Sequence, residues 1–330
     1  MQREHGEIIN RKHLADRQYS GLIGALRKNH EQVFNVAGLP DAMKTWLAWF
    51  TANALDRKPC LIVPDELRAR TAAADLAALT DQPVLVFRAR ELNLEDADAV
   101  SHESEQQRIA LLSRLLSGDF AALILPASAI LQKLPSPDRL RQHMISCHLG
   151  AVIDPDQLVD RLLQNGYEHM RLTDGPGQFA RRGDIIDVVL PSAEDGQPGR
   201  GIRLSFFDQE IDAIKLFDPD TQRSSTMLDK IELPPVREVL PDWKEKDRLA
   251  ENILQAGRQA VRQARANAAE AEPLAQMERM TRHDAERVDN RMHFAALDRW
   301  LGLIYPDAAG VLDYALQAET CFFIEEPLRL

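Results

Sequence analysis

The sequence predicts an α/β protein in which a parallel-sheet domain is interrupted by a small α+β antiparallel domain. Three observations carry this. The short apolar runs "KPCLIVPD", "QPVLVF" and "FAALILPAS" are bounded by polar or helical segments, as in a parallel sheet with crossover helices. A series of short strands separated by Gly/Pro turns follows. The apolar run "CFFIEEP" then returns near residue 324, and a domain split by an insertion is the simplest topology that accommodates it.

Taken in order, "YSGLIGALRKN" has helical apolar spacing, "QVFNVAG" reads as a short buried strand, and "DAMKTWLAWFTANAL" reads as the next helix. With the three apolar runs these make a first domain over residues 1–135. "DPDQLVDRLLQNGYE" is a helix opened by aspartate and closed by Asn-Gly. It leads into "GQFARRGD", "DIIDVVLP", "GIRLSFF" and "IDAIKLFD", a meander in which the turn "AEDGQPGRG" and the link "DQE" make neighbours hairpin partners. This inserted domain is expected over residues 136–238. From Lys244 to His293 no aromatic occurs, and the Ala/Glu/Arg-rich stretch, broken by Pro273, reads as helices with a solvated charged face. Residues 239–330 then complete the first domain.

With 330 residues the chain is long enough for two or more real cores. It is 45% hydrophobic and 28% charged with a net charge of -11, so its surface as a whole repels nucleic acid and anionic membrane. Cys60, Cys147 and Cys321 lie far apart without CxxC or His spacing, which argues for buried thiols rather than zinc or disulfides. The start "MQREHGEIINRKHL" is charged where a signal peptide would be apolar, so a cytoplasmic location is expected. No cofactor, no metal and no membrane contact are expected, and the chain reads as a monomer.

"VAGLPDAMKTWLAWF" has the outline of a phosphate-binding loop, with Gly38, Lys44 and Thr45 in register. The second glycine is replaced by Met43, whose side chain takes the space a phosphate needs, and Pro40 has no N–H to donate. Asp41 adds a carboxylate beside the cradle. One like charge at ~5 Å with an effective dielectric of ~20 costs about 3 kcal/mol. Glu325 and Glu326, ending the apolar strand "CFFI", resemble the acidic element that holds Mg²⁺ in nucleotide enzymes. An ordinary strand-turn-helix with a chance Lys-Thr and a degenerate P-loop of helicase-like type both fit, the latter better once Glu325 and Glu326 are counted.

On "GIRLSFF", alternation puts Ile202, Leu204 and Phe206 on one face and Arg203, Ser205 and Phe207 on the other. Arg181 and Arg182 lie in the adjacent hairpin. Cross-strand packing of arginine stems on rings and an exposed binding patch are both open on these residues alone.

"GPGQFARRGDIIDVVLP", "IRLSFFDQEIDAIKLFDPDTQRS" and "LPPVRE" together resemble the second domain of the UvrB-homology module of bacterial transcription-repair coupling factors, the Mfd family. The resemblance extends through "GLPDAMKT", "LLSGDFAALILPASAILQKLPSP" and "LDRWLGLIYPDAAGVLDYAL", and is weakest over residues 241–290. It implies UvrB-like domains 1a, 2 and 1b, lost ATPase motifs, and an inserted domain that binds UvrA through positions matching Arg182, Arg203 and Phe207. It also implies an N-terminal piece of a longer protein that reaches RNA polymerase and DNA through later domains. The implied function is a non-catalytic adaptor that recruits nucleotide excision repair to stalled transcription; the alternative is an ATP-dependent UvrB-like helicase, and a weaker one a clamp that masks the UvrA site. Between Phe87 and Phe120 the chain lacks the aromatic-containing segment usual in the family.

Overall fold

The computed structural model describes residues 17–28, 33–90, 103–193, 199–268 and 270–328. In chain order the strands among them are β1 (Lys58–Val63), β2 (Val84–Val86), β3 (Ala122–Pro126), β4 (Ile145–His148), β5 (Glu168–His169) and β6 (Gln178–Arg182). There follow β7 (Ile185–Leu190), β8 (Arg200–Phe207), β9 (Glu210–Phe217), β10 (Ser224–Leu228), β11 (Lys230–Leu233) and β12 (Thr320–Ile324). The fold is α/β. Two compact units are formed, one drawn from residues 1–90, 111–132 and 310–330, the other from residues 91–110 and 133–309. The helical stretch that follows the meander therefore groups with it, and the return to the first unit begins at Gly310.

The first unit holds a parallel sheet of order β12-β1-β3-β2. Its three expected apolar runs are all strands, and β1 and β3 are almost wholly buried because helices cover them. Leu61, Val63, Ala122 and Ile124 pack with Ala48 of the helix Asp41–Ala54 and with Ala69, Ala72 and Leu76 of the helix Glu66–Ala77. The second of these helices starts where Asp65 accepts a hydrogen bond from the Arg68 amide at 2.8 Å, an N-cap. The helix expected at "YSGLIGALRKN" spans Arg17–Lys28 and buries Tyr19 and Ile23 against Phe50.

One expectation here is overturned. Within "QVFNVAG" residues 33–38 form no strand, and Val33 and Val36 are 83% and 51% exposed. A strand is made by a hydrogen-bonded neighbour, and among the described residues β12 pairs only with β1 while nothing pairs with 33–38. An apolar run supplies the burial drive but not that partner.

The second unit holds a six-stranded sheet of order β10-β9-β8-β7-β6-β5, antiparallel except for the short β5–β6 pair, and a separate two-stranded β11-β4 ribbon. Gly183-Asp184 and Asp208-Gln209 close two tight hairpins, with Gly183 at φ +59° and Asp208 at φ +58°. Most of "AEDGQPGRG" lies outside the described residues. The helix Pro155–Gln164 is capped by Asp154, which accepts from the Asp156 amide at 2.8 Å, and lays Leu158 and Leu162 on the sheet. There they meet Phe179, Ile186, Val188, Ile202, Leu204 and Phe206, inward-facing residues of β6, β7 and β8. Gly166 ends this helix at φ +85°, and a Cβ there would stand 2.4 Å from Arg237 Cγ, so both conformation and space require glycine.

The helical stretch is not wholly solvated. Helices Lys246–Ala266 and Ala271–Asp289 pack together, burying Leu249, Ile253, Ala285 and Val288 with Leu297, Leu301 and Tyr305. They approach so closely that a Cβ on Gly257 would meet Thr281 Cγ2 at 2.2 Å. Arg108 Nε and Glu238 Oε1 form a fully buried ion pair at 2.5 Å in the same unit.

Candidate functional site

The outward face of the six-stranded sheet is ordered by its register. Along β8 the side chains alternate as expected: Ile202, Leu204 and Phe206 are buried, Arg203 and Ser205 half-buried, and Phe207 is 79% exposed. A bulge on β9 between the Ser205 and Phe206 pairings leaves this alternation on β8 intact. Directly opposed residues of antiparallel strands share a face. One outward row therefore reads Met227, Lys215, Arg203, Asp187 and Ala180 across β10, β9, β8, β7 and β6. The next reads Ala213, Ser205, Ile185 and Arg182. Arg182, Arg203 and Phe207 are thus brought onto one face.

Arg203 is tied down. Its Nε and Nη2 donate to the two carboxylate oxygens of Asp187 at 2.7 and 2.9 Å, and Nη1 donates to Ser224 Oγ at 3.0 Å and Gln222 O at 3.3 Å. Its guanidinium lies over the Phe217 ring, 4.9 Å from the centroid. The arginine's pKa is raised, first by the hydrogen bonds to Asp187. The ring beneath it is that of Phe217, not Phe207. Arg182 is more open: its side chain is 49% exposed, with Nη2 at 3.8 Å from Asp187 Oδ2 and 3.5 Å from Gln222 Oε1. Arg181 points the other way, pairing with Asp156 at the start of the covering helix.

At residues 38–45, Gly38 takes φ +80° and Pro40 precedes the first turn of the helix Asp41–Ala54. The fold gathers the charged residues that the sequence singled out. Lys44 Nζ reaches Asp41 Oδ1 at 2.8 Å and Glu326 Oε1 at 2.9 Å, and both bonds raise its pKa. Arg68, which the sequence reading did not single out, donates to both oxygens of the buried Glu325 at 2.6 and 2.7 Å and to Thr45 Oγ1 at 2.7 Å. Burial works against the Arg68 charge, but the Glu325 hydrogen bonds and the nearby charges of Glu325, Asp41 and Asp75 together outweigh it and hold its pKa above the usual value. Lysine, threonine and both glutamates are therefore engaged by groups of the same chain. Among the described residues no cluster of three or more His, Cys, Asp or Glu is placed to hold a metal ion, and no helix is long and apolar enough to cross a membrane.

Residues 145–238, running from the first residue of β4 to just past β11, match the UvrB interaction domain family. The chain is 28% identical over 313 residues to the transcription-repair-coupling factor of Bacillus subtilis (strain 168), covering 94% of this chain and 26% of that protein. The chain resembles the N-terminal module of that family. It is also 29% identical over 232 residues to the transcription-repair-coupling factor of Myxococcus xanthus, covering 68% of this chain and 19% of that protein. With that of Staphylococcus aureus (strain bovine RF122 / ET3-1) it shares 30% over 200 residues, 60% of this chain and 16% of that one. It spans about a quarter or less of the length of the transcription-repair-coupling factors it matches. The UvrB interaction domain match contains the whole outward face described above, Met227 included.

Two features of that face escaped the sequence reading. Asp187 stands in "DIIDVVLP" at an outward position by simple alternation, yet its pairing with Arg203 depends on β7–β8 register. Ile185 and Met227 are outward and 37% and 55% exposed, but a lone apolar residue on a short strand carries no signal of its own.

Proposed function

We propose that this chain is a non-catalytic adaptor that binds UvrA through the outward face of its six-stranded sheet and so helps recruit nucleotide excision repair to stalled transcription. The observation that carries the reading is the exposure of Phe207 on the same face as Arg182 and Arg203, within the stretch that matches the UvrB interaction domain. A large ring left 79% exposed beside guanidinium groups has the make-up of an interface anchor. Arg182 is the freer of the two arginines for pairing with a partner's carboxylate, while Arg203 stiffens the strand beneath the ring.

The loop at 38–45 supports an adaptor over the UvrB-like helicase alternative. Met43 and Pro40 take room and a donor from a phosphate, and Arg68 already satisfies the Thr45 hydroxyl and the Glu325 carboxylate that a magnesium nucleotide would need. In this proposal the loop is a degenerate P-loop turned into an internal clasp between the helix Asp41–Ala54 and the end of β12. Contacts with RNA polymerase and with DNA belong to later parts of longer proteins of this kind. Purified UvrA titrated into the chain tests the proposal: saturable binding supports it, and none at tens of micromolar refutes it.

A further inference from the structure

The three residues singled out in the sequence do not exhaust the outward face. Phe207, Ile185 and Met227 are large apolar side chains on three strands, 79%, 37% and 55% exposed, and all three point outward by register. Of the outward positions on the strands between them, Ser205 on β8 and Ala213 on β9 are small, while Arg203 and Lys215 are long and charged. Ile185 lies directly opposite Ser205 and so diagonal to Phe207, a separation of about 7–8 Å that both side chains can span. Met227 lies two strands from Arg203, at about 4.8 Å per strand, with Lys215 between.

We infer that Ile185 and Met227 are further anchors of the docking face, which is a three-point apolar surface spread over β7, β8 and β10 and set among Arg182, Arg203 and Lys215. Its charge points to the partner's character. Against these three cations the face carries the buried Asp187 and, at its turn end opposite Phe207, Glu210, while the chain as a whole has a net charge of -11. A second copy of the chain is repelled by that overall charge, whereas a partner surface with acidic groups around apolar sockets is complementary. Methionine at one corner suits an adaptable contact, because its unbranched thioether repacks readily. The inference rests on the proposal that UvrA binds this face.

The test is calorimetric titration of UvrA into the chain carrying Ile185→Ala, Met227→Ala or Phe207→Ala, each with its melting temperature recorded. The expected result is a loss of about fivefold or more in affinity for each of the two new positions, with little change in melting, since a hot-spot residue costs more than ~1 kcal/mol on truncation. Should Ile185→Ala lower the melting temperature, Ile185→Thr keeps β-branching in the strand and serves in its place. Unchanged affinity at both positions, with Phe207→Ala weakened, overturns this inference and leaves the docking reading standing. Unchanged affinity in all three overturns both. Concentration-dependent dimerisation of the chain, abolished by the same substitutions, also overturns the assignment by making a second copy the occupant.

Discussion

Arg203 grips Asp187 through two side-by-side hydrogen bonds, Nε to Oδ1 at 2.7 Å and Nη2 to Oδ2 at 2.9 Å, and the aspartate they hold is 1% exposed. The sequence alone put Arg203 on the face away from the core and left packing and partner binding both open, the family resemblance implying the second. The structure makes it the partner of a buried charge, with 19% of its side chain exposed.

Arg203→Ala is therefore expected to destabilise the chain by about 3 kcal/mol, because removing one member of a buried pair strands the other. Arg182, at 3.8 Å from the same carboxylate, limits the loss. Asp187→Asn combined with Arg203→Ala should recover part of it. Chemical denaturation checks this, and a single variant with wild-type stability would remove the pairing argument.

Leu204 and Phe207 differ by their face of one strand. Leu204→Ala is expected to cost ~2–5 kcal/mol by leaving a cavity among Ile186, Ile214 and Phe206. Phe207→Ala should stay within ~0.5 kcal/mol of wild type, since its ring is mostly in water. Thermal melts of the pair compare them directly, and equal destabilisation would mean that Phe207 is a packing residue.

Arg68→Ala should destabilise the first unit by about 3 kcal/mol by leaving Glu325, 7% exposed, without its bidentate partner. Neither this variant nor the wild type is expected to bind ATP with Mg²⁺ at micromolar concentrations. Calorimetric heat that saturates in that range would restore the enzyme reading.

Burial pushes the Cys147 thiol up to about 12 and raises Cys60 and Cys321 as well. A raised thiol pKa means protonated sulfur at neutral pH, so reaction with a thiol-specific dye at pH 8 should be slow in the folded chain for Cys60 and Cys147. All three should react on unfolding. Rapid native labelling of either buried thiol would contradict the packing of β1 or β4.

Much of the site was legible in the sequence because it rests on local periodicity. Two-residue alternation on "GIRLSFF" correctly divided Leu204 from Phe207, and the motif spacing named Lys44, Thr45, Glu325 and Glu326, which the fold does gather. What stayed hidden depends on partners far along the chain. Asp187 meets Arg203 only through strand register, and Arg68 reaches Glu325 across 257 residues of sequence. For the same reason "QVFNVAG" looked like a strand: apolar content is local, whereas a hydrogen-bonded neighbour is not. In the helical stretch, Leu249, Ile253, Gly257 and Val261 do repeat every fourth residue, but their partner helix had to be found before the stripe meant core rather than solvated face.

The most direct test of the central claim is the affinity of purified UvrA for the chain with and without Phe207→Ala. Docking through the outward face predicts a loss of ~2 kcal/mol or more, about thirtyfold in dissociation constant, at unchanged melting temperature. Undiminished binding by a folded Phe207→Ala chain would contradict it.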